Sequence, residues 1–135
     1  MVRVCECGTF LNKRNFNSEG GEFKFVKIDS NFIKWGKDPE KIETNCQIYP
    51  LKDIKSITYG RVSPNLNESW NKMLNYSHCF SLLLQKRTLD FYCKSYDELE
   101  AWVCGLTQVL KKNGNKIVGY SPGKLRWKKM FAIMR

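Results

Sequence analysis

Six cysteines and a single histidine are the residues of this 135-residue chain with the widest chemical repertoire. Cys5, Cys7, Cys46, Cys79, Cys93 and Cys104 make an even number, which in an exported protein would suggest bridges. The opening MVRVCECGTF lacks the longer apolar stretch of an export signal, and most of the cysteines fall inside apolar patterns. They read as reduced, buried thiols of a cytosolic protein. No Cys-x-x-Cys pair occurs and His78 stands alone, so zinc would need an unusual ligand set and no metal is expected. Cys5 and Cys7 are open to lipid modification, although ordinary strand residues are the plainer reading, and position 2 lacks the glycine that myristoylation requires. With no glycine-rich phosphate loop and no nucleophile–base pair either, neither an enzyme nor a cofactor is expected.

Charge is the second chemical feature, and its placement matters more than its total of +10. Residues 1–110 hold 15 Lys+Arg against 13 Asp+Glu, a net of +2, whereas residues 111–135 hold 8 Lys+Arg and no acid. A balanced body with a basic tail points to an anionic surface as partner. Nucleic acid fits the tail but not the body, and no nucleic-acid motif is visible. In the tail, Ser121-Pro122 suits a helix start, and Trp127, Met130, Phe131 and Met134 then share one face, with Lys124, Lys128, Lys129 and Arg135 largely off it. Such a basic amphipathic helix can lie on anionic lipid, fill a groove on a protein partner, or dock on its own domain.

The elements that must carry these residues are mostly strands. GTFLNKRNF (8–16), EFKFVKI (22–28) and FIKWGK (32–37) are strand-like, separated by turns at NSEGG and Asp29-Ser30-Asn31. QIYPLKDIKSITYG contains a fourth strand with Ile54 and Ile57 inward and Pro50 at its start or edge. RVSPNLNESWNKMLNYS is a long insertion in which Trp70, Met73 and Leu74 have the spacing of a short helix. These three either dip into a bilayer or cover the core. HCFSLLLQ and TLDFYCK then form a hairpin with Phe80, Leu82, Leu84, Leu89, Phe91 and Cys93 inward. Ser95 and Glu98 make a capping box for a final helix, whose apolar stripe is Leu99, Trp102, Val103, Leu106, Val109 and Leu110. The expected class is mainly β: about seven antiparallel strands in a curled sheet or partly open barrel, capped by a C-terminal α-helix centred on Trp102.

This order resembles a pleckstrin homology (PH) domain. DIKSITYG, CFSLLL…TLDFYCKS and AWVCGLTQVL are similar to the lipid-binding PH domains of delta-type phosphoinositide-specific phospholipases C, over roughly residues 8–112. Residues 113–135 then form a separate basic tail. A narrower resemblance, to the acylated PH-domain proteins of apicomplexan parasites, rests on the free-standing domain, its serine-proline insertion and its Asn/Lys-rich composition. It implies a phosphatidic-acid sensor, peripheral on the cytosolic face of secretory organelles called micronemes, although the acylation motif of that family is absent. Both resemblances imply an anionic lipid as partner, with ordinary phosphoinositide recognition or a protein-binding scaffold as the alternatives.

The resemblance also implies where a head group would sit. Lys13 matches the lysine late in strand one, with Arg14 beside it, and Lys24 falls at the last cationic position of strand two. Lys37, Arg87 and Thr88 align with further ligand positions. Glu22 departs from the pattern by standing where a cation belongs, and lysine lacks the bidentate fork of arginine. A site weakened for polyphosphoinositides in this way still suits the smaller phosphate of phosphatidic acid. Trp70, Met73 and Leu74, with Trp127, Lys128 and Lys129 in the tail, complete the expected membrane contacts.

Overall fold

A computed structural model describes residues 2–61 and 63–112. The tail residues Trp127, Lys128 and Lys129, and the helix expected around them, lie outside the described residues. The chain begins with a helix, α1 (Val2–Cys7), and continues through β1 (Thr9–Arg14), β2 (Gly21–Asp29), β3 (Phe32–Gly36), β4 (Gln47–Pro50), β5 (Ser56–Tyr59), β6 (Cys79–Leu83) and β7 (Thr88–Tyr92) to α2 (Tyr96–Lys112). All strand pairs are antiparallel, and the seven strands form one sheet in the order β4-β3-β2-β1-β7-β6-β5.

That order dictates the shape. β4 and β5 are the two edges of the sheet, yet only residues 51–55 separate them in sequence. Seven flat strands at the usual spacing would put the edges about 29 Å apart. The link reaches about 21 Å when fully extended, and part of it is wound into a 3-10 turn at Leu51–Asp53. The sheet therefore curls until its edges come together, leaving an unclosed barrel around a core of inward side chains. Inward residues alternate as the pleat requires: Leu82 faces Leu89 and Phe80 faces Phe91 across β6–β7, all buried.

α2 closes one end of this barrel. Its stripe, Leu99, Trp102, Val103, Leu106 and Leu110, is buried, with Val109 packed at the margin. Trp102 is fully buried, and its indole Nε1 donates to Thr9 Oγ1 at 2.8 Å, which ties the helix to the start of β1. The cap differs in one detail from the expected box. Ser95 Oγ accepts from Glu98 N at 3.2 Å, but the Glu98 carboxylate reaches back to Lys94 N rather than Ser95 N.

Three sequence expectations are corrected. Cys5 and Cys7, expected as strand residues, lie on a helix over residues 2–7 that packs on α2, where Cys5 is buried against the Ala101 and Trp102 carbonyls. Gly8, at φ +85°, turns the chain from α1 into β1 and leaves space that the Phe25 ring fills. The stretch 47–60 is two strands, not one, since Pro50 ends β4 before the 3-10 turn. The short helix expected near Trp70 is a single 3-10 turn, Ser69–Asn71.

Candidate functional site

The uncapped end of the barrel is bounded by the β1–β2 turn, the β3–β4 loop and the β6–β7 turn. Strand register decides which side chains face into it. Lys13 lies opposite Glu22, and Lys24 lies opposite the buried Leu11. Cross-strand partners share a face, so Lys13, Glu22 and Lys24 all continue the inner face beyond Leu11 and Val26. The Lys13 ammonium sits 5.7 Å from the Trp35 ring centroid, within range of a cation–π contact. Burial, first, and then the positive charges of Arg87 and Lys24 hold its pKa below the usual lysine value, while Asp90 and Glu22 oppose them. A half-buried lysine crowded by other cations gains strongly when an anion arrives.

Glu22 and Lys24 form an ion pair at 3.0 Å. The hydrogen bond from Lys24, with the added charges of Lys24, Lys37 and Lys13, draws the Glu22 carboxyl below its ordinary pKa, so it is anionic at neutral pH. Lys24 and Lys37 also line a cleft of about 420 Å³ with Trp35, Lys41, Asn45 and Gln47. On the other wall, the Arg87 guanidinium lies 5.0 Å from the Phe16 ring centroid. Lys13, Lys24, Lys37 and Arg87 are thus brought together around one opening.

Two expected site residues do not join them. Arg14, next to Lys13 on the same strand, faces the outer side of the sheet. It donates to Asn12 Oδ1 and to Asn71 Oδ1, each at 3.1 Å, and so anchors the β5–β6 insertion. Thr88 donates its hydroxyl to Asp90 Oδ2 at 2.8 Å, also on the outer side. Lys41 was not anticipated. Its signal was Asp38-Pro39: Asp38 caps a 3-10 turn, Pro39–Lys41, by accepting from Glu40 N at 3.0 Å, and that turn places Lys41 on the cleft with Lys37.

Asp90 is the second residue that sequence reasoning missed. Fully buried, it accepts from Ser63 Oγ (2.6 Å), Ser81 Oγ (2.7 Å), Asn65 Nδ2 (2.8 Å) and Thr88. Asn65 in turn donates to the Asn15 carbonyl at 3.0 Å and accepts from Asn17 N at 2.9 Å. The insertion is thereby fixed across the outer face of the sheet and onto the β1–β2 turn. Of the expected membrane contacts within it, Trp70 and Met73 are exposed and Leu74 is half-buried.

A larger cleft of about 570 Å³ opens at the far end, between α1, the β2–β3 turn and α2. Its Glu6, Lys27, Asp29 and Lys112 balance in charge, so it offers a phosphate no net attraction. Among the described residues, no group of three His, Cys, Asp or Glu could hold a metal ion, and no helix is long and apolar enough to cross a membrane.

No protein-family model matches the sequence. Comparison of folds is decisive instead. The chain matches Inner Membrane Complex Sub-compartment Protein 3 (ISP3) from Toxoplasma gondii with a TM-score of 0.58 at 21% identity, over 84% of this chain and 82% of that one. It matches the N-terminal PH domain of human ARAP2 with a TM-score of 0.58 at 18% identity, over 86% and 90%. The chain folds as a PH domain. The phospholipase likeness also has a structural counterpart: PLC21 of S. officinalis superposes with a TM-score of 0.62 at 12% identity, but this PH domain covers 80% of itself and only 16% of that chain. In this PH domain the cationic opening lies at the end of the barrel that α2 leaves uncovered.

Proposed function

We propose that this PH domain binds the phosphate head group of an anionic membrane lipid, and that it brings the chain to the cytosolic face of a membrane without performing catalysis. The observation that carries the reading is the convergence of Lys13, Lys24, Lys37 and Arg87 at the open end, on strands and turns fixed by the sheet. Phosphate binding gains most from cations already held in place.

Phosphatidic acid is the lipid this cup fits best. Glu22 cancels part of the charge and occupies Lys24, and three of the four cations are lysines, which meet phosphate as point charges. A single phosphomonoester of about −1.5 to −2 charge suits that reduced cup. A bisphosphorylated inositol brings more negative charge up to the Glu22 carboxylate. Similarity to a Toxoplasma protein named for an inner membrane complex is in keeping with a peripheral membrane role of apicomplexan type, and a microneme surface is the organelle proposed.

Titration with vesicles containing phosphatidic acid, phosphatidylserine or phosphatidylinositol 4,5-bisphosphate at matched charge tests this. Preference for phosphatidic acid is expected. Stronger binding to the bisphosphate would return the domain to ordinary phosphoinositide recognition. One observation favours a second reading, a protein-binding scaffold: Phe10 and Phe23 are 48% and 68% exposed on the outer face of β1–β2, where Phe25 packs against Phe10. Failure to bind any vesicle, with retention on a protein bait, would select it.

A further inference from the structure

Trp70 and Met73, on the segment between β5 and β6, are 38% and 90% exposed. On a loosely held loop that exposure would mean little. This segment is clamped at two points, and both are on the rim of the open end. At one, Asn65 bonds Asn15 and Asn17 of the β1–β2 turn while Asp90 holds Asn65 and Ser63 from below. At the other, Asn71 Oδ1 accepts from Arg14, the last residue of β1, and Asn71 Nδ2 donates to the Asn65 carbonyl at 2.9 Å. Trp70 and Met73 flank that second clamp. A hydrogen-bonded polar scaffold built on the buried Asn65, Asn71 and Asp90 thus presents two large apolar side chains to solvent at a fixed place beside the cationic cup.

We infer that Trp70 and Met73 form an apolar prong that enters the interfacial layer of an anionic bilayer while the cup holds a head group. The inference rests on the reading that the cup takes a membrane lipid. Charge complementarity identifies the occupant. The adjoining rim carries Lys13, Lys24, Lys37 and Arg87, and between the two prong residues stands the exposed Lys72, which offsets the exposed Glu68 on the same segment. An anionic surface meets the rim at the same moment as an apolar layer just beneath it meets the prong. Tryptophan is suited to that depth, having an apolar body and a polar N–H. Methionine adapts its shape to irregular surroundings. Because the clamps fix the backbone in advance, little ordering remains for binding to impose.

Three forms of the full chain decide the matter: wild type, Trp70→Ser with Met73→Ser, and Lys13→Ala with Lys24→Ala. Each is measured on phosphatidylcholine vesicles with and without phosphatidic acid, at low and high salt, and on lipid monolayers of increasing surface pressure. The prong variant should bind vesicles about tenfold more weakly and fail to penetrate monolayers that wild type enters. It should keep the head-group preference, and its residual binding should become more salt-sensitive. The cup variant should lose the preference. Met73→Ser alone, at a side chain with almost no packing, guards against a folding defect and should reproduce part of the loss. Wild-type penetration and affinity in the prong variant would overturn the inference and leave the lipid reading intact. Wild type that binds neither vesicles nor glycerol phosphate in solution would overturn both.

Discussion

Removing the Asp90 carboxylate should loosen the domain more than any other single polar change. Four donors converge on it at 2.6–2.8 Å, and those on Ser63, Ser81 and Asn65 are buried. In Asp90→Ala each stranded buried donor costs about 1–3 kcal/mol. The serine and threonine hydroxyls can rotate towards other acceptors, whereas the Asn65 amide is held by its remaining bonds. Relief from burying a charge offsets part of the loss. The net expectation is about 3–5 kcal/mol, a large share of the 5–15 kcal/mol typical of a domain. Asp90→Asn should be milder, about 1–2 kcal/mol. Its amide oxygen can still accept from Asn65 and Thr88, and its NH2 can donate to the Ser63 and Ser81 oxygens, which hydroxyls allow. Urea denaturation of the three forms gives both values. Equal losses in the two variants, or an alanine loss of less than about 1 kcal/mol, would refute the view that this carboxylate holds the insertion to the sheet.

Trp102→Ala should cost about 3–5 kcal/mol, while Trp102→Phe, which keeps most of the ring and loses the bond to Thr9, should cost about 1 kcal/mol; thermal melts rank the two. Glu22→Gln frees Lys24 and removes a repulsive charge, so affinity for bisphosphate vesicles should rise several-fold while that for phosphatidic acid changes less. An anionic head group needs Lys13 protonated, and its pKa is depressed by burial first and by Arg87 second. Vesicle binding should therefore be full at neutral pH and fall as pH rises through that depressed value, before the ordinary lysine pKa of 10.5, with Lys13→Arg flattening the fall. Burial pushes the Cys5 and Cys79 thiols up to about 12, whereas Cys7 is exposed. Alkylation followed by mass spectrometry should mark Cys7 in the native protein and reach Cys5 and Cys79 only after denaturation.

Local contacts were the legible ones. The β6–β7 hairpin and α2 are written in alternation and in a 3.6-residue stripe, and Phe80, Phe91, Leu99 and Trp102 are buried where those periods place them. Lys13 and Arg14 show the limit. Neighbours on a strand face opposite sides, so only one of the two can line an opening. Which one does so depends on the register with β2, a property of two strands rather than of either. Thr88 failed for the same reason, since its parity is that of Asp90. α1 was misread because six residues carry too little periodicity to tell helix from strand, and its helical state rests on what Cys5 finds on α2.

The short connection between β4 and β5 acts as a tether. Those two edges are the ends of an open sheet, and a sheet of that kind could in principle flex like a cupped hand. Residues 51–55 cannot lengthen: Leu51 N is bonded to the Asn31 carbonyl at 2.8 Å, Lys55 N to the Leu83 carbonyl at 2.8 Å, and Leu51 and Ile54 are buried. The mouth of the barrel therefore has a ceiling on its aperture. The wall bearing Lys24 and Lys37 and the wall bearing Arg87 should therefore part little, and a bulkier head group is expected to be met by swinging lysine side chains rather than by parting strands. Lengthening that link by a few glycines would relax the ceiling, and the range of head groups accepted would widen with it.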